Sequence, residues 1–213
     1  MSNNRGLFLT FEGIEGAGKS SNLEYAKAII EASGKKVTVS REPGGTEVGE
    51  KIRAVLLDPN LPAMHADTEL LLMFASRAEH YQNKILPALN AGNWVLCDRF
   101  TDASFAYQGG GRKIDVNRIA ALEAWALGNF KADKTFLFDL PVSVGLSRAK
   151  ARSEADRIEQ EESDFFERIR NSYLMRAKVE PNRFCVIDAS QTMEGVRGQV
   201  ERAVEELILK RIE

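Results

Sequence analysis

The sequence is poor in cysteine and histidine, with two of each among 213 residues. It contains no C-x-x-C pair, so a structural zinc site is disfavoured. Cys97 and Cys185 each fall inside an apolar, strand-like run. This placement predicts two buried thiols rather than a disulfide or a metal site.

Long hydrophobic runs and a strong charge of one sign are also missing. No stretch approaches about 18 uncharged apolar residues, the length that would suit a membrane span. Residues 1–6 are polar, and the apolar run after them is too short for the core of a signal peptide. A net charge of −2 gives no basic field to attract nucleic acid. These absences predict a cytoplasmic protein that binds neither membrane nor nucleic acid.

A glycine-rich loop near the start fits the pattern G-x-x-x-x-G-K-[ST]. It lies between an apolar run at 7–11, typical of a strand, and a helical pattern from Asn22. Backbone N–H groups of such a loop and the N-terminus of the following helix bind phosphate. We therefore expect an ATP site in which the Ser20 hydroxyl binds Mg²⁺. The alternative is a chance glycine turn. The predicted nucleotide-binding residues are Gly13, Ile14, Glu15, Gly16, Ala17, Gly18, Lys19 and Ser20.

Apolar, strand-like runs alternate with helical patterns along the chain. There are five such runs, at 7–11, 36–40, 94–97, 135–140 and 184–187. The alternation predicts an α/β fold with a five-stranded parallel sheet and helices on both faces. No linker interrupts it, so residues 1–213 are predicted to form one domain, with a mobile lid in the charged stretch at about 148–162.

Start signals place the helices between these strands. A helix is expected from about Thr46, and Asp67, Asp115 and Ser163 are predicted N-caps. Pro141 suits the first position of a helix. A short helix is expected at 101–107, before three consecutive glycines.

Several segments together resemble bacterial thymidylate kinase. They are residues 11–20, 41–46 (REPGGT), 98–99, 106–112 (AYQGGGR) and 156–159 (DRIE). The glycine loop alone indicates only a nucleoside triphosphate, whereas the segments at 41–46 and 106–112 are far more specific to that family. The resemblance covers nearly the whole chain. It implies the P-loop NTPase fold and transfer of the γ-phosphoryl group of ATP-Mg to dTMP, a step of dTTP synthesis.

Transfer between two polyanions requires cations and positioning. Lys19 would serve the donor phosphates, and Arg99 could bridge donor and acceptor phosphates; a surface salt bridge is the alternative for Arg99. The resemblance places Arg53 on the dTMP phosphate and Asp98 near Mg²⁺. The alternatives are a solvated helix charge for Arg53 and a local ion pair with Arg99 for Asp98.

The resemblance also implies the nucleoside contacts. Arg77 would donate to a thymine carbonyl, with Phe74 close to the base, although many relatives have an aromatic residue where this chain has Met73. Either Met73 or Phe74 could pack on thymine, and Phe74 could instead be core. The other predicted substrate residues are Ser104 and Gln108 at the base edge, Tyr107 at the deoxyribose, Glu15 at the sugar 3′-OH, and Glu42 and Pro43 after the second strand.

The glycine loop contains one cation, Lys19, so further charge must come from elsewhere. Arg148 and Arg152 are four apart and share a helix face. Relatives with this kind of loop use a lid arginine, and Arg152 matches that position. The alternative is a solvated charged helix whose arginines pair with nearby glutamates.

Three other functions remain open from the sequence. Another P-loop kinase would share the loop but should lack residues 41–46. A GTP-binding switch protein needs Asn-Lys-x-Asp, and the pair Asn83-Lys84 is followed by Ile-Leu. A nucleic-acid ATPase is disfavoured by the acidic composition. The family is usually homodimeric, and the apolar faces at 70–74 and 119–125 are candidates for pairing, or could equally be core.

Overall fold

The fold is built on one sheet of five parallel strands, as the sequence predicted. The computed structural model describes residues 5–151 and 156–210. The strands are β1 (Phe8–Glu12), β2 (Val37–Arg41), β3 (Trp94–Asp98), β4 (Lys134–Asp139) and β5 (Phe184–Asp188). Their order in the sheet is β2-β3-β1-β4-β5, which leaves β1 in the centre. The end of β1 therefore meets the end of β3, with Phe11 opposite Asp98.

Side chains of β1 alternate between the two faces of the sheet. Leu9 and Phe11 pack in one core cluster with residues of the helix after β1, such as Ile30. Phe8 points the other way and packs with Ile85 and Leu89. Helices therefore cover both faces, which confirms the predicted α/β architecture.

Nine helices occur within the described residues, and two of them continue into short π-helical segments, Tyr81–Ile85 and Phe105–Gly111. The helices are α1 (Lys19–Ala32), α2 (Glu47–Leu57), α3 (Ala66–His80), α4 (Leu86–Asn90), α5 (Thr101–Ser104), α6 (Val116–Leu127), α7 (Val142–Lys150), α8 (Ser163–Val179) and α9 (Met193–Leu209).

The predicted cap Asp115 and the predicted helix start at about Thr46 are confirmed, and three other positions were wrong by one or two residues. Thr46 accepts a hydrogen bond from the Gly49 N–H, and Asp115 accepts one from the Asn117 N–H. The cap before α3 is His65 rather than Asp67, because the His65 ring accepts from the Asp67 N–H at 3.2 Å. In the same way Glu162 is the N-cap of α8, Ser163 is its first residue, and Pro141 precedes α7 rather than starting it.

The helical turn after Thr101 extends further than predicted, through the three glycines to Gly111. Close packing against α8 explains why glycine is needed here. A Cβ on Gly110 would lie 2.9 Å from the Arg168 carbonyl oxygen and 2.8 Å from the Ser172 Cβ. The absence of side chains therefore lets this segment lie directly on α8.

The predicted lid begins as part of α7, which ends at Lys150. Four of its residues, 152–155, lie outside the described chain. The chain continues at Asp156, whose carboxylate accepts from the N–H groups of Ile158 and Glu159 at 2.8 and 2.9 Å. This turn places Ile158 in the core cluster, 7% exposed.

Neither cysteine is in a disulfide. Cys97 is buried in β3 and Cys185 is half-buried in β5, where the sequence had predicted full burial. Among the described residues, no helix is both long and apolar enough to cross a membrane.

Glu12, at the end of β1, is fully buried behind the turn that follows β3. Its carboxylate accepts from the Phe100 N–H and from the Tyr173 hydroxyl of α8, both at 2.7 Å. Arg99, which precedes Phe100, has a left-handed φ of +69°. A non-glycine residue keeps such a backbone only when its surroundings hold it, and Glu12 supplies one of those contacts.

Burial, and then the negative charge of Asp102, raises the pKa of Glu12 from 4.5 to about 7. The folded state therefore binds this proton more tightly than the unfolded state does. The resulting stabilisation is fully present below pH 4.5 and is lost as the pH rises through about 7. We expect Glu12→Gln to remove this loss. The free energy of unfolding of the variant minus that of the parent should increase by about 2–3 kcal/mol from roughly pH 5 to pH 8, as measured by urea unfolding at each pH.

Glu31→Gln provides the matched control, because Glu31 is an exposed glutamate near the end of α1. Its stability should follow that of the parent at every pH. Parallel pH curves for the parent and Glu12→Gln would contradict the prediction.

Candidate active site

A cavity of about 510 Å³ opens at the carboxyl ends of β1, β2 and β3. This is the edge at which parallel sheets bind ligands. Most of the predicted site residues line it: Glu15, Gly16, Gly18, Lys19, Ser20, Glu42, Pro43, Arg53, Arg77, Asp98, Arg99, Ser104, Tyr107 and Gln108. Segments that are distant in the sequence therefore meet around one space.

The glycine-rich loop joins β1 to α1 and approaches α7 very closely. Gly16 has a φ of +71°, and a Cβ there would lie 2.0 Å from the Gly145 carbonyl oxygen. Gly18 precedes α1 in a left-handed conformation, and no side chain caps that helix. The first N–H groups of α1 are thus available to an anion.

Lys19 lies over this loop, with its Nζ donating to the Ile14 carbonyl at 2.9 Å. The side chain is largely buried. Burial, and then the nearby charge of Arg99, lowers the pKa of Lys19 to about 8. A bound phosphate would favour the charged amine, so the loop is electrostatically suited to an anion.

Ser20 and Asp98 present oxygen atoms to each other across the cavity. The Ser20 hydroxyl donates to Asp98 Oδ2 at 3.1 Å. Mg²⁺ prefers oxygen ligands and takes few of them from protein when it also binds phosphates. The pair fits that ion, and the described residues contain no cluster of three acidic, histidine or cysteine side chains that would suit a more fully protein-bound metal.

Arg99 is held beneath the loop by several groups. Its guanidinium donates to the Gly13 carbonyl at 2.9 Å and to Glu15 Oε1 at 2.8 Å. Its Cζ atom lies 4.7 Å from the centre of the Tyr107 ring. The Tyr107 hydroxyl donates to the Glu15 carboxylate, at 2.7 and 2.8 Å from its two oxygens. Glu15 therefore joins Arg99, which directly follows β3, to Tyr107 of the π-helical segment Phe105–Gly111.

Arg53 reaches the cavity from α2 and donates to the Pro43 carbonyl at 3.0 Å. Burial, and then the charge of Arg41, lowers the pKa of Arg53. Arg41 itself pairs with Glu50 at 2.9 Å and is about half exposed. This side of the cavity therefore presents two guanidinium groups, Arg41 and Arg53, which can bind an anionic ligand.

Arg77 is almost completely buried and its guanidinium is fixed on several sides. It donates to Glu42 Oε2 at 2.7 Å, to the Ser104 hydroxyl at 2.9 Å and to the Phe100 carbonyl at 2.9 Å. Its Cζ atom lies 4.6 Å from the centre of the Phe74 ring. Since three of the five guanidinium N–H groups are used, two remain for a ligand.

Phe74 supports Arg77 from the core and does not line the cavity, whereas Met73 does. The side chains of Ile14 and Ala17 are likewise buried in the core, and Gly13 contacts β4. Arg152 lies outside the described residues. The structure thus places Met73, and not Phe74, in contact with the ligand space.

Met73, which the sequence left open beside Phe74 as the thymine contact, lines the cavity four residues before Arg77 on the same helix face. Other lining residues were not among the predicted site residues. Asp156 and Glu159 belong to a segment that carried the family resemblance, but no local pattern assigned them to the cavity. The further lining residues outside the prediction are Ser21, Arg41, Leu57, Phe100, Ala103 and Ile158.

Comparison with known proteins agrees with this geometry. The chain matches the family model for thymidylate kinase over residues 11–200. It is 57% identical over 202 residues to a thymidylate kinase of Alcanivorax borkumensis, covering 95% of this chain and 97% of that one. A thymidylate kinase of Vesicomyosocius okutanii is 53% identical over 197 residues, with 92% and 96% covered.

A solved structure shares the fold as well. The crystal structure of thymidylate kinase from Ehrlichia chaffeensis superposes with a TM-score of 0.76 at 30% identity, covering 94% of this chain and 99% of that chain. The predicted P-loop NTPase fold is thereby confirmed. Family model, relatives and solved structure agree over nearly the whole chain, which belongs to the thymidylate kinase family.

Proposed function

We propose that the cavity binds dTMP beside the glycine-rich loop while ATP occupies the loop itself. The chain phosphorylates dTMP to dTDP with ATP as donor, in the synthesis of dTTP, as its family membership implies. One observation carries the assignment of the site. A single cavity holds phosphate-binding groups at one end, Lys19 and Ser20, and base-binding groups at the other, Arg77 and Gln108.

At the donor end, the loop N–H groups and Lys19 would hold the β- and γ-phosphates. Ser20 and Asp98 would hold Mg²⁺, which when bound neutralises charge on the donor phosphates. The 3.1 Å contact between these two side chains supports a shared ligand. Whether Asp98 binds the ion directly or through water does not change this assignment.

At the acceptor end, Arg53 and Arg99 would bind the dTMP phosphate from two sides. Arg99 lies below the loop, so it also reaches the phosphoryl group in transfer. Both guanidinium groups are already hydrogen-bonded to protein carbonyls. They therefore need little reorganisation when the substrate binds, and this positioning is the main source of catalysis in phosphoryl transfer.

The nucleoside would lie between α3 and the segment around Tyr107. The two spare N–H groups of Arg77 suit a thymine carbonyl, Ser104 and Gln108 face the base edge, and Met73 covers the ring. Glu15 and Tyr107, which are hydrogen-bonded to each other, would contact the sugar. Glu42 and Pro43 hold Arg77 and Arg53 in place, which supports their assignment to the substrate site.

We also propose that residues 1–213 form one domain and that two copies associate as a homodimer. The fold buries one part of each apolar face considered for pairing and leaves another part exposed. Leu70, Phe74 and Ile119 are core residues, whereas Leu71 on α3 and Trp125 on α6 are 57% and 83% exposed. These two exposed side chains support pairing through α3 and α6. The cytoplasmic location remains a prediction.

The acceptor preference tests the assignment directly. With dTMP, dUMP, CMP and AMP in a coupled ADP-release assay, dTMP should be the best acceptor and ribonucleotides should be poor. Loss of one methyl contact should cost dUMP roughly 10–200-fold at most in kcat/KM. A preference for CMP or AMP would overturn the proposal.

Arg152 is proposed to act from the lid. Lys19 is the only cation in the glycine-rich loop, and Asp156 and Glu159, a few residues beyond Arg152, line the cavity. Because this arginine would contact the phosphoryl group mainly in the transition state, Arg152→Met should lower kcat by roughly 10³-fold or more, with little change in KM for dTMP.

Lys150→Met serves as the matched control, since it removes an exposed cation at the end of α7. Its kcat should stay near that of the parent in the same steady-state assay. A kcat for Arg152→Met within about tenfold of the parent, or a loss confined to KM, would remove Arg152 from the catalytic set.

A further inference from the structure

Glu69 is a buried carboxylate that does not line the cavity and has no part in the mechanism above. It lies on α3, eight residues before Arg77 and four before Met73, on the helix face that points to the cavity. The side chain is 1% exposed. A buried charge of this kind requires partners, and its three partners come from two parts of the chain, residues 108–112 and Arg157.

Two arginines neutralise Glu69. Arg157, from the segment after the lid residues 152–155, donates to Oε2 at 2.7 Å. Arg112 donates to Oε1 and Oε2 at 3.3 and 3.2 Å. Burial alone would raise the pKa of Glu69, but hydrogen bonds from Gln108 and Arg112 and the arginine charge lower it. Glu69 is therefore an ionised carboxylate.

The third partner is Gln108, whose amide Nε2 donates to Glu69 Oε1 at 2.9 Å. An ionised carboxylate can only accept hydrogen bonds. The amide must therefore turn its NH₂ group toward Glu69, and its carbonyl Oε1 must face the other way. Within residues 5–151 and 156–210 no group donates to that oxygen, and Gln108 lines the cavity. Glu69 thus makes the cavity-facing atom of Gln108 an acceptor.

The orientation has a consequence for the base that can bind. Thymine and uracil present a carbonyl, an N3–H donor and a second carbonyl along one edge. Cytosine presents an amine and an unprotonated N3 instead. Arg77 donates a hydrogen bond and Gln108 accepts one, so a carbonyl and the N3–H of thymine satisfy both. Cytosine would instead place its amine against the Arg77 donor and its unprotonated N3 against the Gln108 acceptor. Unpaired buried polar groups are the strongest source of substrate discrimination.

We propose that Glu69 is a positioning residue that fixes the Gln108 amide and thereby selects pyrimidines with an N3–H donor over cytosine. The inference rests on the proposed function, because it assumes that the base lies against Arg77 and Gln108. Glu69 acts through Gln108 and does not touch the substrate. Its contact with Arg157 ties the same carboxylate to the part of the predicted lid that follows residues 152–155.

The test is Glu69→Gln, which can donate as well as accept and so allows the Gln108 amide to turn over. In steady-state assays with dTMP, dUMP and dCMP, the ratio of kcat/KM for dTMP over dCMP should fall by roughly 10–100-fold. The loss for dTMP should appear mainly in KM. The ratio of dTMP to dUMP should stay unchanged, since both bases carry N3–H; general damage to the site would not spare it.

Three further variants show whether the effect passes through Gln108. Gln108→Met alone should lower the ratio of dTMP to dCMP, and adding Glu69→Gln should lower it no further, because residues that act as a unit are non-additive. Glu161→Gln removes the other carboxylate on Arg112 and leaves Gln108 untouched, so it should keep the parental ratio.

Glu69→Asp covers the case in which Glu69→Gln does not fold. It keeps a negative charge near both arginines but is one methylene shorter, and it should also lower the ratio. An unchanged ratio in folded Glu69 variants, or additive effects in the double variant, would overturn the inference alone. A parent protein without preference for dTMP over dCMP would overturn the proposed function and this inference with it.

Discussion

Lys19, Arg53 and Arg99 converge on one cavity, and their mutual repulsion has to be offset before any nucleotide phosphate arrives. The protein offsets it by hydrogen bonds to backbone carbonyls and by a carboxylate that pairs with Arg99. Glu15 forms an ion pair with Arg99. The backbone carbonyls of Ile14, Gly13 and Pro43 accept hydrogen bonds from Lys19, Arg99 and Arg53, respectively. The cations stay charged and oriented, while their open sides face the space where phosphates would bind.

The same arrangement recurs at the base-binding end. Glu42 lies behind Arg77, and Glu69 lies behind Gln108. In both cases a buried acid decides which atoms of the next side chain remain for the ligand. Glu42 lines the cavity and also fixes Arg77, whereas Glu69 lies outside the cavity lining and orients Gln108. Binding then requires little ordering of side chains, which favours affinity and selectivity together.

The sequence predicted the sheet, the glycine-rich loop and most cavity residues, because those depend on contiguous patterns. Helix starts were less certain. Asp67 was chosen as a cap on residue type, but the helix begins at Ala66 and the His65 ring accepts from the N–H group of Asp67 itself. The resemblance left Met73 and Phe74 both open for the contact with thymine. Packing of Phe74 in the core sets the helix rotation that leaves Met73 lining the cavity.

Roles that depend on long-range partners could not be predicted. Glu12 is tied to Tyr173, 161 residues away, and only that contact shows why the strand ends in a buried acid. From the sequence alone, Glu69 is an ordinary acidic residue in the first turn of a helix. Arg112 and Arg157 allow Glu69 to be buried as a charged group. Arg112 directly follows the π-helical segment Phe105–Gly111, and Arg157 belongs to the predicted lid.

The close approach of Gly16 to Gly145 also limits how the lid can move. The loop and the middle of α7 meet backbone to backbone, and a Cβ on Gly145 would lie 2.7 Å from the Glu15 carbonyl oxygen. No side chain lies between them to absorb a shift, so the first half of α7 must travel with the glycine-rich loop as one rigid body. The proposed lid would therefore need its hinge beyond that contact, toward the end of α7. Closure would then reposition the lid side chains while leaving the phosphate-binding loop where it is.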